Sequence, residues 1–404
     1  MRPHGVDLSF GYEILGTDKK VIRKNNTLQG FVQFENLRSG EKVLLPMRSF
    51  VNGFINKLHG ILSGDSGADT KISRAAVMAS ENELTASTVS FVGILVGTDD
   101  TNPTLGDTGL GAKITPSASF IYGATTFIEP NQSNDLLTFE VRRLFTDTVT
   151  VGHLFGEAAL MSGKRGRASF ASIASVTGVT SAITMLARDN FPSAIAVSNG
   201  DDIRMTFKFK ASQTAGGGVL LNLVKLIYNL MIVGDEDNTT SRLVGRTGSA
   251  QTFTYGIEDI ASLGNPWYIG GGSEGQYIGI VTGNYGTTPP TSEESLAPQV
   301  SNDDTTFTVN HTNLTLTTNT ISTVTNPSTD VASFTITRDF TNSSTVNKYV
   351  DRVGILTRSS AGTGSSLSAT QCFLAMNDFF DSPTTLVIEP GQVLRVTYTF
   401  QIKV

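Results

Sequence analysis

The sequence predicts a mainly β protein made of two tandem β-sandwich or jelly-roll-like domains, each with one helix, behind an N-terminal β arm. Three observations lead to this fold class: strands that alternate apolar and polar side chains, turns marked by glycine and proline, and segments that recur in one order. The 404 residues suffice for two domains or three. We place the arm at residues 1–45, the first domain at 46–212 and the second at 213–404.

Two closing segments are the plainest strands. Residues 203–210 and 394–403 alternate apolar and polar side chains, which is the pattern of a strand with one buried face. A turn signal precedes each of them, because Gly200 follows an asparagine and Gly391 follows a proline. Each domain is therefore predicted to end in a hairpin.

Four landmarks recur in the same order and indicate an internal duplication: a helix, a glycine-strand, an arginine-strand and the closing strand. Residues 91–103 match 277–289 without a gap, and 139–146 match 334–341. Four matches in register rarely arise by chance between threonine-rich strands. The residues that mark the repeat are Gly93, Gly97, Pro103, Arg143, Phe145 and Gly200 in the first copy, and Gly279, Gly283, Pro289, Arg338, Phe340 and Gly391 in the second.

Each copy opens with an apolar stretch of helical character. Between Val51 and Leu62, apolar residues recur at intervals of three and four and form one face of a helix. Residues 220–233 are apolar almost all round, as in a fully buried helix. One helix per copy is expected to cover a sheet face or to lie between the copies.

A long polar loop follows the first glycine-strand. Asp99, Asp100, Asn102 and Asp107 offer the oxygen ligands that calcium prefers. The second copy has far fewer carboxylates at the matching positions, which favours the other interpretation, that these side chains cap turns. We therefore predict no metal site.

The arm contains two more strand patterns, at residues 8–14 and 30–35. No second copy of it precedes Gln213. The arm is expected either to pair with a neighbouring subunit or to pad the first domain, and the sequence does not decide between the two.

The amino-acid composition limits the classes of function that this chain is expected to have. Charged residues make up 16% of the chain, against about 25% in an average soluble domain. Either the surface is buried in an assembly, since interface cores are depleted of charge, or serine and threonine replace charged residues at a solvated surface. The net charge of −6 argues against a nucleic-acid partner, and the basic cluster at 164–167 is interpreted as a solvated hairpin tip.

The lone cysteine and the apolar stretches indicate in which cellular compartment the protein is expected. Cys372 excludes an internal disulfide and a thiolate metal cage, and its apolar neighbours indicate a buried strand residue. No signal peptide is apparent at the start, and residues 219–233 are too short to cross a bilayer. We expect a soluble protein made in the cytoplasm, without a membrane partner.

Residues that would form an active site are not grouped in the sequence. The histidines are scattered, and His59 is interpreted as a packing or capping residue on the first helix. Residues 271–275 fit the Gly-x-Ser-x-Gly pattern, but a strand follows where a nucleophile elbow requires a helix. Trp267 is a possible surface anchor for sugar or a partner, with a core position as the alternative. We predict no enzyme, no cofactor and no catalytic residue.

The motifs resemble a pattern found in virion proteins of tailed bacteriophages. It comprises a Val-Gly-Thr turn at Val96, an Arg-x-Phe-Thr-Asn strand at Arg338, an Arg-Asp-x-Phe segment at Arg188 and a closing strand from Gly391. The resemblance covers residues 48–404, twice over, and departs from the pattern in the second unit, where Met376-Asn377-Asp378 replaces the Arg-Asp pair. It implies a particle component in the neck, the tail or on the capsid.

From this resemblance we expect a non-enzymatic virion protein, made in the host cytoplasm, whose partners are copies of itself and other virion proteins. Duplicated domains suit a ring, because one chain then supplies two similar positions around the axis. The alternatives are a receptor- or glycan-binding adhesin, which would depend on Trp267, and a glycan- or protein-cleaving enzyme on a β scaffold.

Overall fold

The computed structural model describes residues 5–47, 49–63, 85–86, 90–133, 136–148, 152–164, 183–212, 217–219, 221–228, 243–244, 250–251, 279–283, 314–358, 372–380 and 386–404. Within these ranges antiparallel strands predominate and two helices occur. The predicted mainly β fold class is therefore confirmed. The finer expectations, two tandem sandwiches and a boundary between residues 212 and 213, remain predictions.

One large antiparallel sheet draws strands from both halves of the sequence. In spatial order they are β15 (Leu314–Leu316), β18 (Val331–Asn342), β23 (Val393–Lys403), β1 (Gly5–Ile14), β2 (Lys20–Asn36), β10 (Asp202–Ser212), β7 (Leu136–Asp147) and β6 (Phe120–Ser133). Three short strands join them: β16 (Thr320–Ile321) and β17 (Thr325–Ser328) pair with β18, and β3 (Lys42–Pro46) pairs with β2.

Two four-stranded sheets share three matched strands in the same order. The first, from the first half of the chain, is β4 (Thr85–Ala86), β5 (Ser90–Gly97), β8 (His153–Lys164) and β9 (Ile183–Val197). The second, from the second half, is β11 (Gly217–Val219), β21 (Cys372–Phe379), β20 (Arg352–Arg358) and β14 (Gly279–Gly283). The matched strands are β5, β8 and β9 in one and β14, β20 and β21 in the other, and the fourth strands lie on opposite edges. Two strand pairs complete the inventory: β12 (Leu243–Val244) with β13 (Ala250–Gln251), and β19 (Lys348–Val350) with β22 (Leu386–Ile388).

The strands form where the sequence alternates. In β18 and β23 every second side chain is buried, and threonines occupy five of the twelve intervening positions. Cross-strand phenylalanines fill the buried face in both halves. The rings of Phe139 and Phe209 stack at 4.5 Å, and those of Phe334 and Phe400 stack at 4.8 Å. Such aromatic pairs stabilise a sheet beyond their buried area.

Both predicted helices are present. Helix α1 (Asn52–Ser63) buries Phe54, Ile55 and Leu58, the face that the spacing predicted. Helix α2 (Leu221–Leu226) is shorter than the apolar stretch at 220–233, of which residues 229–233 lie outside the described part of the chain. The strand predicted at Cys372 is confirmed as β21, whereas its side chain is not among those described.

Each helix packs against the half of the large sheet that the other half of the sequence contributes. The ring of His59 on α1 meets Phe334 edge-on at 5.2 Å, and its Nε2 lies 2.9 Å from the Ser322 carbonyl oxygen. Tyr228, just beyond α2, meets Phe139 edge-on at 5.5 Å. The two contacts are reciprocal, because Phe139 and Phe334 are matched residues of the repeat. The packing predicted for His59 is confirmed.

The N-terminal arm lies at the centre of the large sheet. Strand β1 pairs with β23 of the second half, and β2 pairs with β10 of the first. The two arm strands pair with each other, with Val6 facing Leu28. The arm therefore joins both halves within one chain, which is more than padding for the first domain.

Candidate functional site

The structure brings most of the repeat landmarks into matching environments. Gly93 and Gly97 lie on β5, Arg143 and Phe145 on β7, Gly279 and Gly283 on β14, and Arg338 and Phe340 on β18. Gly200 and Gly391 lie in the turns before the closing strands, and Pro103 lies in the polar loop after β5. Pro289 and Trp267 lie outside the described residues, so the proposed surface anchor stays a prediction.

The two landmark arginines make the same contact. Arg143 donates from Nη1 to the Ile94 carbonyl oxygen at 3.2 Å, and Arg338 donates from Nη1 to the Ile280 carbonyl oxygen at 2.8 Å. Ile94 and Ile280 occupy matched positions in the glycine-strands. Each arginine thus links the large sheet to a four-stranded sheet through a hydrogen bond that needs no acidic partner.

The second guanidinium edge of each arginine is also bound by the main chain. Nε of Arg143 donates to the Gly123 oxygen at 2.9 Å, and Nε of Arg338 donates to the Thr317 oxygen at 2.9 Å. Both side chains are buried. Burial lowers the pKa of Arg338 to about 10, because a charge is costly away from water.

The closing turns are built alike. Gly200 and Gly391 have φ of 79° and 78°, a region that other residues rarely adopt. The Gly200 amide donates to the main-chain carbonyl oxygen of Asp147 at 2.7 Å, and the Gly391 amide donates to the main-chain carbonyl oxygen of Asn342 at 2.8 Å. The predicted turns are therefore confirmed, and the duplication extends to their hydrogen bonds.

The polar loop after β5 is fixed by one buried arginine. Arg188 on β9 donates to Glu157 at 2.8 Å, to Asp107 at 2.7 Å and to Asp99 at 3.0 Å. Glu157 in turn accepts hydrogen bonds from the amides of Gly111 and Ala112. We call these four charged side chains the Arg188 cluster. It ties both ends of the loop to the four-stranded sheet.

The landmark Gly97 is explained by the Arg188 cluster. A Cβ at this position would collide with the Glu157 carboxylate and with the carbonyl oxygen of Ala112. The glycine therefore allows the loop and the carboxylate to approach the end of β5.

The carboxylates of the loop cap turns, as the sequence favoured. Asp99 accepts from the Thr101 amide at 3.1 Å, and Asp107 accepts from the Thr104 amide at 3.0 Å. Hydrogen bonds from Thr101, followed by the charge of Arg188, hold the pKa of Asp99 below its usual value. Burial alone would lower the pKa of Arg188, but its hydrogen bonds to Asp107 and Glu157 outweigh burial and raise it.

The second half differs at this place. The strand registers put Arg352 at the position of Glu157, because Gly283 faces Arg352 as Gly97 faces Glu157. Asp189 faces Ala158, which follows Glu157, and Asp378 faces Val353, which follows Arg352. The residues before these two aspartates, Arg188 and Asn377, therefore occupy matched positions. At these two described positions the second half therefore lacks the charges of Glu157 and Arg188, although the strands that carry them are duplicated.

Sequence reasoning missed a repeat inside the arm. Glu13 pairs with Lys20 at 3.5 Å, and Glu35 pairs with Lys42 at 2.8 Å. A closing-strand arginine adds to each pair: Arg395 lies 3.8 Å from Glu13, and Arg204 lies 3.3 Å from Glu35. The signal was present, because Glu-x-Leu followed by Lys-Val occurs twice in the arm, at residues 13–21 and 35–43.

Metal-ligand groups and histidine–carboxylate pairs are further features that bear on chemistry in the described residues. No group of three or more His, Cys, Asp or Glu side chains is arranged to hold a metal ion in these ranges. His153 lies 2.7 Å from the buried Asp147 carboxylate and packs on Phe120. Two sequence features lie outside these ranges: the Gly-x-Ser-x-Gly segment at 271–275 and residues 165–167 of the basic cluster.

No helix in the described part of the chain is long and apolar enough to span a membrane. No protein family, no curated protein and no solved structure matches this chain. The proposal of a function therefore depends on the sequence motifs and on the molecule's own geometry.

Proposed function

We propose that this chain is a non-enzymatic structural component of a tailed-bacteriophage virion. It assembles through contacts between copies and with other virion proteins, in a ring at the neck or tail, or on the capsid. The proposal includes an origin by internal duplication. The motif resemblance at Val96, Arg188, Arg338 and Gly391 supports the virion context. The repeated contact of Arg143 with Ile94 and of Arg338 with Ile280, at matched positions of two similar halves, supports the duplication.

This duplication supports an assembly role. A chain with two similar halves presents similar surfaces twice, so a small number of chains can form a ring with twice as many near-equivalent positions. The reciprocal packing of His59 and Tyr228 and the central arm support a rigid unit, because each half contributes to the core of the other. Rigid units suit a particle that must keep its geometry.

The arrangement of charged groups also supports a structural role. In the Arg188 cluster, three carboxylates bind one arginine and hold a loop, and the arginine is only 5% exposed. Perturbed pKa values there follow from packing of the loop, which is a common structural cause of such shifts.

The mass of the full-length chain in solution tests the proposal. Light scattering at two concentrations is expected to give a closed multimer, or a mass that grows with concentration. A stable monomer at both concentrations would count against assembly through contacts between copies. Binding to host cells that is lost in Trp267→Ala would then favour the adhesin.

A further inference from the structure

We propose that the outer face of the large sheet, in its second half, binds the same face of a second copy of this chain. The outer face is the side of the sheet opposite the two helices and the two four-stranded sheets. Its uncharged centre consists of six residues, which we call the hydroxyl face: Ser9 and Gly11 on β1, Thr397 and Thr399 on β23, and Thr335 and Thr337 on β18. This inference rests on the proposed structural role, because it names one contact between copies through which the chain would assemble.

The outer face is open among the described residues. Phe334 and Arg338 of β18 point to the inner face, where they contact α1 and β14. On both β18 and β23 the side chains alternate, so that those of the inner face are buried and those of the outer face stay partly exposed. Such alternation is typical of an antiparallel sheet with one solvated face. Ile22, on the outer side and opposite Gly11, is 75% exposed, so no described layer covers this side.

The hydroxyl face lacks the charges of the matching surface in the first half. Three of its threonines are replaced there by charged residues: Glu140 stands in place of Thr335, Arg142 in place of Thr337 and Lys208 in place of Thr399. Glu140 binds both cations, Lys208 at 2.6 Å and the Nε of Arg142 at 2.8 Å. Because the strands are matched, the fold does not impose this difference. Interface cores are depleted of charge, so the contrast indicates that the hydroxyl face is the one buried in an assembly.

The chemistry of the hydroxyl face selects a second copy of itself as the partner. A charged partner surface, such as the one around Glu140, would lose its water against groups that return no charge, which is costly. Threonine presents a methyl group and a hydroxyl group, and the hydroxyl both donates and accepts hydrogen bonds. Within one copy the hydroxyl oxygens of Thr337 and Thr397 already lie 3.2 Å apart. Two hydroxyl faces therefore satisfy each other without burying a charge.

Ile22 and Gly11 make this surface complementary to itself in shape. They face each other on neighbouring strands, so an exposed side chain lies next to a recess. Two sheets that pack face to face about a two-fold axis can place the Ile22 side chain of each copy over the Gly11 recess of the other. In the first half, Leu44 takes the place of Ile22 but faces Gln33, so the protrusion is present without the recess.

The size of the contact suits a dimer that dissociates on dilution. Four strands lie side by side there, β18, β23, β1 and β2, and β1 faces β23 over nine residues. With strands about 4.8 Å apart and about 3.4 Å per residue, the face measures roughly 600 Å². Two copies therefore bury about 1,200 Å², which is the lower limit of a standard interface.

Sedimentation equilibrium of the full-length chain over a range of concentrations tests this proposal. We expect the wild type to form a dimer, or a multiple of it, that dissociates on dilution. A transplant variant places the charged residues of the first half on the hydroxyl face, with Thr335→Glu, Thr337→Arg and Thr399→Lys together. Its dimer dissociation constant should rise at least about 100-fold, because the added charges must lose their water in the contact.

The first half supplies matched controls. The transplant variant should keep the circular dichroism spectrum of the wild type, because the same residues occupy the same strand positions in the first half. Gly11→Gln copies Gln33, fills the recess without a charge and should raise the dissociation constant roughly tenfold; the added Cβ lies 3.2 Å from the Val21 carbonyl oxygen, which a small strand shift relieves. Gln33→Lys adds a charge to the outer face of the first half and should change the constant by less than about threefold.

Equal dissociation constants for the wild type and the folded transplant variant would overturn the inference, as would an equal loss in Gln33→Lys. A wild-type multimer that persists in the transplant variant contradicts the hydroxyl-face contact and leaves self-assembly standing. A monomeric wild type contradicts both, and leaves water or another virion protein as the occupant of the face. The virion role itself is decided separately, by the number of chains in purified particles.

Discussion

The guanidinium of Arg338 donates a 2.8 Å hydrogen bond to the main-chain oxygen of Ile280, across two sheets of the second half. Arg143 and Ile94 make the same contact in the first half at 3.2 Å. An arginine serves here because its planar fork reaches two carbonyl oxygens at once. The contact defines which parts of the two halves correspond.

Replacing Arg338 with methionine is expected to lower the free energy of unfolding by about 1–3 kcal/mol, because the buried Ile280 carbonyl oxygen and the partly buried Thr317 carbonyl oxygen lose their donor. Burial of the charge, which lowers the pKa of Arg338, offsets part of this loss. Thermal and urea unfolding measure the effect, with Arg143→Met as the matched variant. A more stable Arg338→Met protein would contradict a stabilising role for the contact.

Because each helix packs against the other half of the large sheet, we predict that neither half of the chain folds alone. Fragments 1–212 and 213–404 are each expected to be unfolded or aggregated when made alone, because His59 and Tyr228 would lose their aromatic partners and the first fragment would expose β1. Co-expressed fragments should associate and recover the circular dichroism spectrum of the intact chain. Two independently folded, non-associating fragments would show that the cores are separate.

The Arg188 cluster predicts a large effect from one substitution. Arg188→Met leaves the fully buried Glu157 carboxylate without its cationic partner, which is expected to destabilise the protein by about 3–5 kcal/mol. The exposed Arg204, which pairs with Glu35, provides the control: Arg204→Met should cost about 1 kcal/mol or less.

A double variant separates this charge effect from a general loss of packing. Adding Glu157→Gln to Arg188→Met removes the buried charge and should restore part of the stability in urea unfolding. Proteolysis should cut the loop at 98–114 faster in Arg188→Met than in the wild type. Equal losses in the single and double variants would mean that the charge is not the cause.

Tyr398 predicts a loss of stability in alkali. Burial, followed by the neighbouring Asp378 carboxylate, raises the pKa of Tyr398 well above its usual value of 10. The unfolded tyrosine ionises near pH 10 while the folded one stays protonated, so this contribution to stability is present below pH 10 and lost as the pH rises beyond it.

Phe207 of the first half occupies the position that matches Tyr398 of the second half. The substitution Tyr398→Phe therefore gives both halves the same residue at this position. At pH 7 the variant should stay within about 1 kcal/mol of the wild type. The Tm of the variant minus that of the wild type should be more positive at pH 11 than at pH 8. An unchanged difference would mean that Tyr398 ionises normally in the folded protein.

The local patterns predicted the elements well, and they predicted part of the arrangement. Alternation identified β10 and β23, helical spacing identified α1, and the turn glycines appeared with positive φ. The repeat alignment also paired Arg143 with Arg338, whose shared contact depends on matched partners. These features are encoded over a few residues or by direct comparison of segments.

Long-range relationships were not predictable in the same way. The position of Arg188 among Asp99, Asp107 and Glu157 depends on three strands and a loop that are distant in sequence. The central place of the arm depends on its pairing with β10 and β23, which lie far along the sequence. The packing of each helix against the other half of the large sheet leaves no local signal in the sequence, since the same apolar helix face fits either half of the sheet.

The copy number of this chain in purified phage particles tests the central claim most directly. Quantitative mass spectrometry against a labelled internal standard measures it after gradient purification. A structural role predicts a constant, integral number of chains per particle, several in number, that survives a high-salt wash. Particles that contain none, or a trace that varies between preparations and washes away, would contradict the account.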